Sequence, residues 1–81
     1  MRTKNKRYIN YGPLVINFLF QPADHFVGTV VTAYVDNVSV RSHHLHNDAV
    51  RRSFAEAVCA LAGGADDELL QQIEDLVTVN I

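Results

Sequence analysis

At 81 residues with 48% hydrophobic content, this chain forms one small domain. It is too apolar to be disordered and too short to spare many side chains for a deep substrate cleft. Its formal charge of -2 hides a sorted pattern. Four of the seven basic residues, Arg2, Lys4, Lys6 and Arg7, fall in the first seven positions, whereas Asp66, Asp67, Glu68, Glu74 and Asp75 form a late acidic stretch without a base.

Residues 1–7 read as a flexible basic arm, and residues 8–81 as a single α+β domain. From Tyr8 or Pro13 to Phe20 the chain is aromatic and β-branched without a helical period, which predicts a strand. The basic start followed by Leu14–Phe20 imitates a signal peptide. The apolar run is too short and holds Asn17, however, and Gln21-Pro22-Ala23-Asp24 is not a small-x-small cleavage site. Gln21–His25 carries turn signals. Phe26–Val35 reads as a second strand in which Gly28 marks a bulge or a close approach. Asp36-Asn37 suits a two-residue hairpin turn and returns the chain as a third strand, Val38–Arg41. One long strand running through Asp36 is the alternative.

Asn47 is placed to cap a helix with Asp48 in its first turn. Val50, Phe54, Ala57, Val58 and Leu61 form its apolar stripe, Arg51, Arg52 and Glu56 face away, and Gly63-Gly64 ends it. Asp66 caps a second helix with the stripe Leu69, Leu70, Ile73, Leu76 and Val77, and with Asp67, Glu68, Gln71, Glu74 and Asp75 opposite. This helix is expected to stop near Leu76. Alternation of Val77, Val79 and Ile81 with Thr78 and Asn80 allows a short final strand. The expected fold is therefore a three-stranded antiparallel sheet followed by two helices packed on one face, β-β-β-α-α, with a possible C-terminal strand.

Catalytic signals are sparse. No G-x-S-x-G turn accompanies Ser39, Ser42 or Ser53, and Gly63-Gly64 lacks the lysine and hydroxyl of a phosphate loop. The paired acids fall on a solvated helix face. The chain is read as non-catalytic and cofactor-free. His43-His44-Leu45-His46-Asn47-Asp48 is the densest polar cluster. On an extended segment His44 and His46 project to one side and are candidate metal ligands, with His25 or Cys59 as a third. His44-x-His46-x-Asp48 partly resembles the metal motif of the metallo-β-lactamase fold. That motif continues with a histidine where this chain has Ala49, and its fold needs a far longer chain, so the family is not carried over. Cys59 lies beside the apolar stripe and reads as a small core residue. As the only cysteine it excludes an intramolecular disulfide, which fits a reducing cytoplasm.

Two interaction readings remain. The first is stoichiometric binding of another protein with a basic surface, through Asp67, Glu68, Gln71, Glu74 and Asp75 or an exposed sheet edge. Such a short, motif-poor chain suits an inhibitor encoded by a phage or mobile element, of the anti-defence (anti-CRISPR-like) kind. A homodimer joined through strand edges is also open. The second is nucleic-acid binding by Arg2, Lys4, Lys6, Arg7 and Tyr8, with Tyr11 nearby and with Arg41, Arg51 and Arg52 as a second basic patch. The strand-strand-strand-helix order resembles part of the double-stranded-RNA-binding domain. The leading helix and the lysine pair opening that domain's last helix are absent here, and no residue role is taken from it. No segment approaches the ~20 apolar residues of a membrane helix.

Overall fold

Four antiparallel strands and then two helices make up the computed structural model, which describes residues 4–64 and 66–81. The strands are β1 (Asn5–Tyr11), β2 (Leu14–Pro22), β3 (Thr29–Val35) and β4 (Val38–Ser42), joined in the order β1-β2-β3-β4. The helices are α1 (Asp48–Leu61) and α2 (Asp67–Asn80). The α+β class, the antiparallel sheet and the two following helices agree with the sequence reading; the strand count does not.

The extra strand arises from a hairpin hidden inside one expected strand. Gly12 takes φ 58°, and with Pro13 it forms a two-residue turn between β1 and β2. A first turn residue with positive φ matches the right-handed twist of hairpin strands, and proline's fixed φ suits the next position. Three residues expected in the basic arm are therefore in the sheet: Asn5, Lys6 and Arg7 pair with Phe20, Leu19 and Phe18. Arg2 lies outside the described residues. The Asp36-Asn37 turn forms as read, with Asp36 at φ 54°. β3 starts at Thr29, later than expected, because Ala23 donates to the Gly28 carbonyl at 3.0 Å and closes a loop. A Cβ on Gly28 would come within 3.0 Å of the Phe26 ring, so only glycine fits there without displacement.

The register sorts the sheet into two faces. Ile16, Phe18 and Phe20 of β2 and Val31, Ala33 and Val35 of β3 point to one side and are buried. Phe54, Ala55, Val58 and Cys59 of α1 and Leu69, Leu70, Ile73 and Val77 of α2 pack onto them in one cluster. Phe18 and Phe54 meet edge to face with ring centroids 6.4 Å apart. α1 lies across β3 and β4. α2 runs along β1 in the opposite direction: Tyr11 donates to Asp66 at the start of the helix and Asn5 donates to Asn80 at its end, at 3.0 and 2.6 Å.

Caps fix where the helices begin. The Asn47 side chain accepts from the backbone N–H of Ala49 and Val50, and Asp66 accepts from Glu68 and Leu69. Gly64 N–H to the Cys59 carbonyl and Gly63 N–H to the Ala60 carbonyl close α1 as a Schellman motif. α2 continues to Asn80, past the expected stop at Leu76, and no final strand forms. Val77 lands in the core at 0% exposure and Val79 in solvent at 80%. A strand would have placed both on one face. Val77→Ala is accordingly expected to cost about 1–3 kcal/mol, and Val79→Ala to change stability by no more than about 0.5 kcal/mol. Urea unfolding of the two variants checks this; equal losses would contradict the helical register.

Candidate functional site

Two helices cover only one side of this sheet. The other side carries Lys6, Tyr8 and Asn10 from β1, Val15, Asn17, Leu19 and Gln21 from β2, the buried Val30 with Thr32 and Tyr34 from β3, and Ser39 and Arg41 from β4. Direct pairing lines these residues up in rows across the strands. One row reads Tyr8, Asn17, Tyr34, Ser39, and the next reads Lys6, Leu19, Thr32, Arg41. Tyr8 and Tyr34 are 64% and 42% exposed. A shallow depression between the rows includes Lys6, Asn17, Leu19 and Tyr34 in its lining. No carboxylate occupies an outward strand position; Asp24 and Asp36 sit in the loops at the two ends.

The β2–β3 loop extends this surface. Phe26 stacks on His44 with centroids 4.4 Å apart and leans on His43 at 5.9 Å. Together with Asp24, His25, Val30 and Arg41 they line a second open depression. The histidine segment is a turn, not an extended run. His44 takes φ 59°, and its carbonyl accepts from the Asn47 N–H at 3.1 Å. That turn drives Leu45 into the core and leaves His44 and His46 exposed. The alternation that made them co-facing is lost, and no group of three or more His, Cys, Asp or Glu side chains is placed to hold a metal among the described residues.

The helical layer has the opposite electrostatic character. Between Asp48 and Asn80 seven carboxylates face two guanidiniums, a formal charge of -5. In the rest of the described chain Lys4, Lys6, Arg7 and Arg41 stand against Asp24 and Asp36, a formal charge of +2. Both helical arginines are engaged locally. Arg51 pairs with Asp48 and donates to the Leu45 carbonyl. Arg52 reaches Glu56 at 3.8 Å and Glu74 at 3.0 Å. The second basic patch expected from Arg41, Arg51 and Arg52 therefore does not form, since Arg41 lies on the sheet and the other two are paired on the helices.

Of the five polar α2 residues singled out in the sequence, Asp67, Glu68, Gln71 and Asp75 are exposed, and Gln71 donates to Asp75 at 2.9 Å. Glu74 is turned toward α1 by Arg52 and is half-buried. Among the arm residues, Lys6 and Tyr8 lie on the open sheet face, while Arg7 falls on the helix side at the β1 edge, where it donates to Asn5. Tyr34 was not singled out from sequence. The alternating strand Thr29–Val35 contained the signal: Val31, Ala33 and Val35 alternate with Thr32 and Tyr34, which places Tyr34 opposite the core.

Asp66 joins the two layers. It caps α2 and accepts from the Tyr11 hydroxyl on β1. The Leu69 backbone N–H, the Tyr11 hydroxyl and the Glu68 N–H hold its carboxyl below the ordinary value, against a partial desolvation that acts the other way. The same bond, with burial and the nearby carboxylate charge, raises Tyr11. Burial first, then the Asp66 charge, raises the Cys59 thiol. A thiol held protonated is a poor nucleophile, so the open groove shared by Cys59, Arg52, Glu56 and Asp66 has no activated sulfur.

No helix is long and apolar enough to cross a membrane among the described residues. Compared with known protein families, with curated proteins and with solved structures, the chain finds no match.

A carboxylate with a depressed folded value stabilises above its unfolded value, near 3.8, and that contribution is lost as pH falls through the depressed value. Asp66→Asn keeps one oxygen for the cap, puts an amide NH2 where Oδ2 accepts from Tyr11, and removes the charge. The melting-temperature gap between wild type and D66N is expected to hold from pH 7 to about 5 and to close below about pH 4. A gap that persists unchanged to pH 2 would contradict the ionised Asp66 link.

Proposed function

We propose that the chain is a non-catalytic binding protein that engages another protein stoichiometrically through the outward face of α2. The reading is carried by one observation: Glu68, Gln71 and Asp75, with Asp67 beside them, form an ordered exposed line whose acids have no cation partner among the described residues. Residues three and four apart share a helix face, so the line is continuous. The two arginines that could neutralise it are held by Asp48, Glu56 and Glu74. Such a face selects a basic partner surface, and its charge speeds and orients encounter more than it deepens affinity.

The surface depressions are shallow and open, which favours a flat protein contact over enclosure of a small substrate. A buried, unpaired Cys59 suits the cytoplasm as the place of action. An inhibitor made by a phage or mobile element, which blocks a basic protein surface that normally holds nucleic acid, is the role these features support best. Sheet edges give a route to a homodimer, since β1 and β4 each have one unpaired side.

Charge reversal at two exposed positions tests the reading. Lysine at position 68 opposes the helix dipole and lysine at position 75 complements it, so the two effects on stability largely offset. Glu68→Lys with Asp75→Lys is expected to keep the wild-type melting temperature within a few degrees and to lose a host protein that wild type retains in equimolar amount at moderate salt. The retained proteins are identified by mass spectrometry, with Lys6→Ala/Arg41→Ala as a surface control. Retention of the same protein by E68K/D75K would remove the acidic face from the interaction.

A further inference from the structure

We propose that the uncovered face of the sheet is a binding platform for single-stranded nucleic acid, separate from the acidic helix face. The geometry combines three properties that such a ligand needs. Tyr8 and Tyr34 present exposed rings in one row, with the small Asn17 between them. Two strand spacings separate them, about 10 Å. Both rings are therefore free to stack on separate bases of one strand. In the next row, about 7 Å along the strands, Lys6 and Arg41 stand at the two outer strands. They flank the aromatic row where a phosphate backbone crossing the sheet would run. Asn17, Thr32, Ser39 and Gln21 supply hydrogen-bonding groups between them. Base stacking on aromatic side chains inside a cationic groove is the general mode of single-strand binding, and an open four-stranded sheet is a known platform for it.

Charge complementarity selects this occupant over the others. Among the described residues, Lys6 and Arg41 form no ion pair, and the outward strand positions hold no carboxylate. A second copy stacked face to face would bring cations against cations and desolvate them without partners. A duplex presents its bases edge-on inside its grooves, where they are not available to flat rings. Edge cations also discourage strand-edge aggregation, but that role gives no reason for two exposed tyrosines on the same face. The Phe26–His44 stack beside Arg41 provides a further aromatic surface at the end of the platform.

The test uses the full chain and fluorescence anisotropy with labelled 12-nucleotide single strands, one DNA and one RNA, and a matching duplex. Single strands are expected to bind at 50 mM salt and to weaken about sevenfold by 200 mM, as two neutralised phosphates require. Tyr8→Ala with Tyr34→Ala should weaken single-strand binding by about tenfold or more. Lys6→Ala with Arg41→Ala should weaken it and flatten its salt dependence. E68K/D75K should bind at least as well as wild type, which separates this face from the acidic one. Circular dichroism confirms folding, and Tyr8→Leu/Tyr34→Leu replaces the alanine pair if that pair unfolds. The DNA and RNA arms identify which strand is preferred. Absence of binding to both at 50 mM salt, equal or tighter binding of the duplex, or full binding by the tyrosine variants would each overturn the proposal. So would equal displacement by poly-glutamate, which would reduce the face to a charge patch. Self-association in sedimentation that the K6A/R41A variant abolishes would assign the face to a second copy and overturn it as well.

Discussion

A four-stranded sheet has two faces, and this chain has helices for one. The three gaps between four strands span roughly 15 Å, and two helices packed side by side cover about 20 Å. Once α1 and α2 lie on the side of Ile16, Phe18 and Phe20, no helix or strand among the described residues covers the other, and only Val30 is buried there. The interior between sheet and helices is correspondingly simple: one cluster, from which only the buried Val30 stands apart, with no buried polar or charged side chain among the described residues. Charged and polar side chains therefore lie on the two outer surfaces or at the seam between sheet and helices.

Asp66 is the point at which those layers are locked together. As a cap it orients α2, and through Tyr11 it ties the start of that helix to the end of β1. Asn5 and Asn80 repeat the connection at the far end. β1 buries little of itself. Ile9 and Tyr11 are its half-buried apolar residues, and Lys6, Arg7 and Tyr8 are exposed. These two side-chain bridges supplement the sparse apolar contact of an edge strand, and through the sheet pairing they also place Lys6 and Tyr8.

Helix caps, the Asp36-Asn37 turn, the α1 termination and the core stripes were legible because each rests on local chemistry that survives folding. β1 was hidden for a physical reason. An edge strand with polar residues on both faces has no apolar alternation, so Asn5–Arg7 reads as part of a loose arm and Tyr8–Tyr11 merges with the strand that follows, despite the Gly12-Pro13 turn. The end of α2 misled in the opposite direction. Val77, Val79 and Ile81 alternate as in a strand, and the β-branched residues favour one. Burial of Val77 beneath the helix and the Asn80 bridge to β1 outweigh that weak preference. The expected alignment of the histidine pair turns on one torsion: His44 at positive φ bends a segment whose extended form would have aligned His44 with His46. The acidic line of α2 was visible at once, because helical periodicity alone sets it. The tyrosine platform was not, since it depends on the register between three strands.

The charge sorting along the chain becomes, in space, a sorting between layers. A helical layer of formal charge -5 backs a sheet whose two charged outward strand positions, Lys6 and Arg41, are both cationic. This separation has a consequence for any charged partner. A polyanion is drawn to the sheet and repelled from the helices, and a basic protein surface experiences the reverse, so neither face competes for the other's ligand. The pairing of Arg51 and Arg52 with neighbouring acids sharpens the contrast, because it keeps those two cations from serving the sheet side. Proteins that handle nucleic acid present basic grooves beside an anionic strand. On the two proposals made above, a body with one face of each sign would approach such a complex with its orientation selected before contact by the field of its own two layers.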